Sequence, residues 1–437
     1  MVLFGEDMGR LEEQDFDEKR LARRNRRKRS QTLAYIILGV LVLVLVGGAA
    51  LGVHFLSSVI GQRKTQDAQD EGLLSATENQ ESVAIETPAE PTPEELEMSS
   101  SDVADEVIGG ILSEMTLEDK VAGLFFLTPE QLTGVATVVK AGSSTQDALS
   151  QYSVGGLLYS AKNLKSQDQI SEMLKATASM CKYPIFLATT EETTPSSSIT
   201  ASLGGIDTVD LNSSDAAYTT GSNIAAVMFK YGFNLDLAPS LDITENGLYG
   251  TDVDVVKDIT GAFTRGLEES GITACLHDFP ISADTSAGTV SSDITVESLS
   301  TGSYEVFKNA ITNGGARAIM LSNVSLPQVT GDNTPVSLSQ KMIQEELRGV
   351  IGFDGVVITG PLYEGAITEN YSSDQAAVAA IKAGADMLYM PEDFNSAYQA
   401  ILSAVESGEI SKERIDESLT RIFMIKYADR IAQITEN

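Results

Sequence analysis

Between Val121 and Met390 the chain carries eight short apolar runs, and no other feature restricts its fold so tightly. They are Gly123 to Leu127, Val154 to Tyr159, Tyr183 to Ala188, Phe233 to Leu237, Ile272 to Leu276, Ala316 to Leu321, Gly355 to Thr359 and Asp386 to Tyr389. Most are separated by a segment with helical spacing, such as Asp168 to Met180, Ala216 to Tyr231, Asp254 to Ser270, Glu305 to Asn313 and Leu338 to Val350. Runs this uniformly apolar suit strands buried on both faces, which is the condition of a parallel sheet. Strand and helix alternating eight times predicts an α/β fold, a single (β/α)8 TIM-type barrel. In such a barrel the working residues sit where strands end and loops begin.

Several segments, taken in order, resemble the family 3 glycoside hydrolases in the single-barrel form of the bacterial β-N-acetylhexosaminidases. Met115-Thr-Leu-Glu-Asp-Lys-Val121 is similar to the family's opening helix. Val154-Gly-Gly-Leu-Leu158, Asn234-Leu-Asp-Leu-Ala-Pro-Ser-Leu-Asp242, Gly352-Phe-Asp-Gly-Val-Val-Ile-Thr359 and Ala383-Gly-Ala-Asp-Met-Leu388 resemble its strand motifs. The resemblance runs from about Ser113 to Tyr427, the size of one such barrel.

The resemblance also implies what has been lost. The family places an aspartate nucleophile directly after the position of Thr359, where this chain has Gly360 and then Pro361. His277-Asp-Phe-Pro-Ile-Ser-Ala-Asp284 resembles a family loop reading Lys-His-Phe-Pro-Gly-His-Gly-Asp, so the acid/base histidine falls on Ser282 and its partner aspartate on Asp284. Thr190-Glu-Glu-Thr-Thr194 stands where the family has Asp-Gln-Glu-Gly-Gly, and Asn323 stands for a histidine after the sixth strand. Retaining cleavage needs one carboxylate to attack and a second group to protonate the leaving oxygen, about 5 Å apart. Glycine has no side chain to attack with, and serine is a poor proton donor at neutral pH. The resemblance with these losses implies a hydrolase-derived barrel that binds a cell-wall glycan or an envelope protein without cutting it. The alternative is an active glycosidase, acting on N-acetylglucosamine-containing glycans, that recruits Asp278, Asp284, Glu191 or Glu192.

Glu191, Glu192, Asp242, His277, Asp278, Asp284, Asn323 and Glu392 are placed near the catalytic face and form the candidate pocket. The competing reading is that they are solvated loop ends, since any barrel rim is polar; Asp354 reads as a turn residue before a strand. No His, Cys, Asp and Glu spacing resembles a metal site. Neither a phosphate loop followed by lysine nor a dinucleotide fingerprint occurs, so no cofactor is expected. Tryptophan is absent, leaving Tyr363, Tyr371 and Tyr389 as candidate stacking platforms for sugar rings. Cys181 and Cys275 adjoin or lie within strands and are expected as buried free thiols.

The N-terminal part concerns location. Ser30 to Gly61 carries no Asp, Glu, Lys or Arg, and residues 33–60 exceed the ~20 apolar positions that span a bilayer. Residues 1–32 form a basic tail with Lys19, Arg20, Arg23, Arg24, Arg26, Arg27, Lys28 and Arg29, whereas only Arg63 and Lys64 follow the apolar stretch before the chain turns acidic. That asymmetry predicts a single-pass anchor with the N-terminus cytoplasmic and the barrel outside the cell membrane. A cleaved signal peptide is the competing reading, but its apolar core runs ~7 to 15 residues. The basic cluster serves as a topology determinant, with anionic lipid as an alternative partner. Gly48 and Gly52 fit the small-xxx-small spacing of a helix dimer, although glycine is common in such helices. Residues 61–100 are rich in Glu, Gln, Thr, Ser and Pro, and read as a disordered tether to the barrel of residues 101–437. The chain's net charge is −32 despite this basic tail. A barrel so acidic is a poor ligand for nucleic acid, whose affinity comes largely from basic contacts to phosphate.

Overall fold

The computed structural model describes residues 100–432 apart from 193, 207–210, 246 and 429–430. The expected basic tail, membrane anchor and most of the tether lie outside the described residues. Among the described residues no helix is long and apolar enough to cross a membrane.

All eight apolar runs hold strands: β1 Phe125–Leu127, β2 Gly156–Leu158, β3 Phe186–Thr189, β4 Leu235–Asp236, β5 Thr273–Phe279, β6 Ala318–Leu321, β7 Val356–Ile358 and β8 Leu388–Tyr389. Each is parallel to its sequence neighbours, and β8 pairs with β1 at Phe125↔Leu388 and Phe126↔Tyr389. The remaining seam closes through a parallel bridge between Ile358 and Met387 and a bond from Thr359 N to Met387 O at 3.0 Å. The sheet is therefore a closed barrel, and closure leaves it no free edge. Nearly every strand residue is buried, which is why the strands read as continuous apolar runs rather than alternating ones.

The predicted helices appear at Gln167–Met180, Ser214–Tyr231, Val253–Glu269 and Ser303–Thr312, while the segment expected from Leu338 begins at Lys341 and forms a π-helix to Ile351. Ser166, Ser213 and the Asp252 carboxylate cap the first three by accepting from free amides of the first turn. The glycine pair of the second strand motif has a steric reason. A Cβ on Gly155 would lie 2.1 Å from the Gly123 carbonyl and one on Gly156 2.6 Å from the Phe126 ring, so β1 and β2 approach where no side chain fits.

At the bottom of the barrel, Asp386 anchors the closing seam. It is fully buried and accepts from the Val357 amide at 2.9 Å, from Arg348 at 2.7 Å, from Arg421 at 3.1 Å and from the Ser418 hydroxyl at 2.8 Å. Arg414 stands 3.7 Å away and donates to the Ala385 carbonyl at 2.7 Å. Arg414, Ser418 and Arg421 belong to the helix Lys412–Lys426, so one carboxylate ties that helix to β7 and β8. Of the two cysteines, Cys275 is buried as expected, but Cys181, at the C-cap of Gln167–Met180, is only half-buried.

Candidate functional site at the barrel mouth

The C-terminal ends of β3, β4 and β5 bring together an acidic group that is mostly buried, not the solvated rim of the bland reading. Glu191 and Glu192 follow β3 and are 1% and 7% exposed, and Asp236 on β4 is 0% exposed. The Glu191 carboxylate accepts from the amides of Ile199 at 2.7 Å and Thr200 at 3.3 Å, which makes it the cap of the short helix Ser198–Leu203. Glu192 accepts from the Tyr249 hydroxyl at 2.7 Å and the Ser240 amide at 2.9 Å. One oxygen of Asp236 takes the Glu191 amide at 2.8 Å, and the other is buried with no partner.

Burial raises the carboxyl groups of Glu191 and Glu192, and it raises Asp236 well above the ordinary range, with the neighbouring glutamates adding to that rise. Asp242, after β4, is half-buried and also raised, by burial and then by the charge of Asp278.

His277 and Asp278 end β5 as a pair, Nδ1 standing 3.6 Å from the Asp278 carboxylate. Burial alone would lower the imidazole, but Asp278, Glu192 and Asp242 outweigh it and hold it up at about 9. Burial opposes ionisation of Asp278 too, and the bonds to His277 and Ser282 nevertheless keep it below the usual range. His277 Nε2 is buried without a partner. The mouth therefore contains one histidine set among several carboxyl groups, of which Asp278 is its ion-pair partner.

At the ends of β6 and β7, Gly360, expected at the nucleophile position, is tightly enclosed. A Cβ on Gly360 would lie 2.8 Å from both the Leu321 carbonyl and the Asn323 side-chain oxygen, so an aspartate there would need its neighbours to move. The Gly360 amide donates to the Ser337 hydroxyl at 2.9 Å. Asn323 is 2% exposed; its amide nitrogen donates to the Pro361 carbonyl and to the Glu364 carboxylate, each at 2.9 Å. Two acceptors on that side fix which way the amide points, and its oxygen is left buried and unpartnered toward Gly360. Glu364 also receives the Thr285 hydroxyl.

Glu364 is the functional candidate missed by the sequence reading. The signal is a carboxylate four residues past Gly360, just ahead of the short helical turn Gly365–Thr368. Asp278 and Glu364 both lie within electrostatic reach of the Tyr389 ring, whose phenol burial already raises. Tyr249, in the loop after β4, carried no motif at all.

Three expectations change. Asp284 is exposed and bonds only within its own turn, to the Ser286 amide at 3.1 Å and hydroxyl at 2.5 Å, so it does not join the pocket. Ser282 pairs instead with Asp278, its hydroxyl donating at 2.9 Å. Glu392 is exposed on the loop after β8. Of the three tyrosines, Tyr389 is buried at 6%, Tyr363 is half in solvent, and Tyr371 lines a groove of about 850 Å³ against the outer helices Ser373–Ala383 and Phe394–Glu406.

The model of the glycosyl hydrolase family 3 N-terminal domain matches residues 116–425. An uncharacterized secreted glycosyl hydrolase from Arthroderma benhamiae is 26% identical over 303 residues, 62% of this chain and 84% of that one. A beta-hexosaminidase from Idiomarina loihiensis is 24% identical over 285 residues, 61% of this chain and 85% of that one. Among solved structures, a family 3 β-N-acetylglucosaminidase from Paenibacillus superposes with a TM-score of 0.66 at 26% identity over 73% of this chain, which spans 63% of that protein. A β-N-acetylhexosaminidase from Beutenbergia cavernae shares the fold, with a TM-score of 0.61 at 22% identity, 72% of this chain and 99% of that one.

Proposed function

Because this chain belongs to glycosyl hydrolase family 3, and because the resemblance of its motifs puts Gly360 and Ser282 at the two reacting positions, we propose that it is a membrane-anchored, extracytoplasmic barrel that binds a cell-envelope glycan without hydrolysing it. One observation carries this reading. The nucleophile position is not merely glycine but a closed spot, since a Cβ there would meet a main-chain carbonyl and the Asn323 amide at 2.8 Å. A backbone carbonyl cannot swing aside as a side chain can, so reverting Gly360 alone supplies a carboxylate without supplying room for it.

The acid/base position points the same way. Ser282 has its hydroxyl on Asp278, and Asp284 faces solvent, so the two do not form a proton-transferring pair. Unpartnered buried polar atoms on Asp236, His277 and Asn323 favour a retained polar ligand in the mouth over an inert scaffold. An envelope protein as ligand, and self-association through Gly48 and Gly52, stay within this proposal as further partners.

A second reading has one observation in its favour. Asp278 and Glu364 are two carboxylates at the ends of β5 and β7, and a retaining glycosidase needs such a pair. Both are already engaged, Asp278 with His277 and Ser282, Glu364 with Thr285 and Asn323. The full chain in mild detergent is expected to release no chromophore from aryl N-acetylglucosaminide or glucoside substrates. Turnover that disappears in Glu364→Gln or Asp278→Asn would overturn the non-hydrolysing reading in favour of this pair.

A further inference from the structure

We infer that the bottom of the barrel holds a second binding site, a pocket that takes a small organic acid with its carboxylate or phosphate group on Lys426 and its further acceptors on Arg317 and Thr273. The site lies at the opposite end from the mouth and does not depend on the glycan reading.

The strands that end at the mouth begin at this pocket. Phe186 and Thr273 open β3 and β5, and Asn234 and Arg317 stand one residue ahead of β4 and β6. With Lys426, from the end of the helix Lys412–Lys426, they line a cavity of about 330 Å³. That is room for a small organic molecule rather than for a bare ion.

The polar side chains of the wall have their acceptors filled and donors to spare. Asn234 Oδ1 accepts from the Leu187 amide at 2.8 Å, and its Nδ2 donates to the Ile185 carbonyl at 2.9 Å. Glu268 takes the Ala274 amide at 3.0 Å on one oxygen, and Arg317 Nε and Nη2 at 2.8 and 2.7 Å on the other. Thr273 Oγ1 accepts from the same Nη2 at 3.2 Å, which leaves its own proton to give. Arg317 Nη1 has no partner among the described residues. As an ammonium, Lys426 gives one proton to the Gly155 carbonyl at 2.7 Å and keeps two. Spare donors beside filled acceptors select a ligand rich in acceptors, and carboxylate and phosphate groups are the acceptors that lysine and arginine hold best.

Charge agrees with the hydrogen bonds. The charged or titratable groups around the pocket, among the described residues, are Arg317, Glu268 and Cys181. Glu268 already answers Arg317, and burial pushes the Cys181 thiol up to about 11, so it carries no charge at neutral pH. Lys426 is left without a carboxylate, and burial brings its amine down to about 7. The rings of Phe186 and Phe423, 4.7 and 5.8 Å from Nζ, steady an ammonium without neutralising it. An anion in the cavity supplies the missing countercharge.

The test uses the full chain in mild detergent with glucuronate, glucose 6-phosphate and glucose, one body with a carboxylate, a phosphate or neither. In mass-spectrometric labelling with acetic anhydride, Lys426 should react in the free chain, and either acid should protect it while glucose does not. Protection by one acid alone assigns the site to that group. In isothermal titration at about pH 8, where the amine is mostly neutral, glucuronate binding should take up close to one proton, read from two buffers of different ionisation heat. Lys426→Met should abolish that uptake and weaken binding at least about tenfold. Protection by neither acid, or equal protection by glucose, overturns the inference, and since labelling reads the native chain this holds whether or not the variant folds. A Lys426 that does not label in the free chain is closed to ligands and overturns it too, as does glucuronate binding without proton uptake.

Discussion

Asp386 and Asp236 are both fully buried aspartates at strand ends of one barrel, yet their surroundings are opposite. Asp386, at the bottom, has three arginines, a serine hydroxyl and a backbone amide around it. Asp236, at the top, has one backbone amide, two neighbouring glutamates and an orphaned oxygen. The first is surrounded by cations and does structural work; the second has its carboxyl raised by burial and then by the two glutamates, and leaves hydrogen-bonding capacity unused. Burial alone therefore does not tell a structural acid from one kept for a ligand. The partners do, because breaking a paired buried charge leaves its counterions uncompensated.

The same substitution at the two positions should separate them most sharply. Asp386→Asn strips the buried charge that three partly buried guanidinium groups share and is expected to cost about 3 kcal/mol or more in urea denaturation, since those cations lose their counterion. Asp386→Asn within 1 kcal/mol of the parent would break the comparison.

His277 supplies the next largest effect. Its folded-state value is raised to about 9 by Asp278, Glu192 and Asp242, against about 6.5 unfolded. A base raised on folding contributes stability fully below its unfolded value and loses it as pH climbs through the folded one. The parent should thus lose on the order of 2 kcal/mol between about pH 6.5 and 9 from this residue, and His277→Gln should flatten that slope. An unchanged slope would remove the charged histidine from the mouth.

The smallest effect is expected at Asp236→Asn. An acid raised on folding stabilises below its unfolded value, about 3.9, and loses that contribution as pH rises through its folded value. The amide cannot ionise, so it should make the decline above pH 4 shallower and should not destabilise the protein at pH 7. A loss matching that of Asp386→Asn would mean that the top carboxyl is as structural as the bottom one.

The barrel was legible because buried parallel strands cannot alternate polar and apolar residues, so each of the eight runs announced itself and its helix followed at helical spacing. The site was legible only where it lies at strand ends. Glu192, Asp242, His277, Asp278 and Asn323 were found on that rule, and all border the mouth. Asp284 and Glu392 were assigned by the same rule and turn to solvent, because nothing in a loop's sequence says which way its backbone bends. Glu364 and Tyr249 were missed since each reaches the mouth from a loop with no periodic pattern. Asp236 and Asp386 lay inside segments read as strand motifs, where their chemistry was hidden by the apolar residues around them.

The knot at Asp386 also governs when this protein can finish folding. Two of its three arginines come from the helix Lys412–Lys426, which follows all eight strands in the chain. A nascent chain still inside the ribosome would therefore hold every strand and nearly every helix yet lack the counterions that make the last seam permanent. Synthesis must run past Arg421 before the cylinder latches, and a product truncated ahead of Arg414 would leave an unlatched fold for quality-control proteases to find.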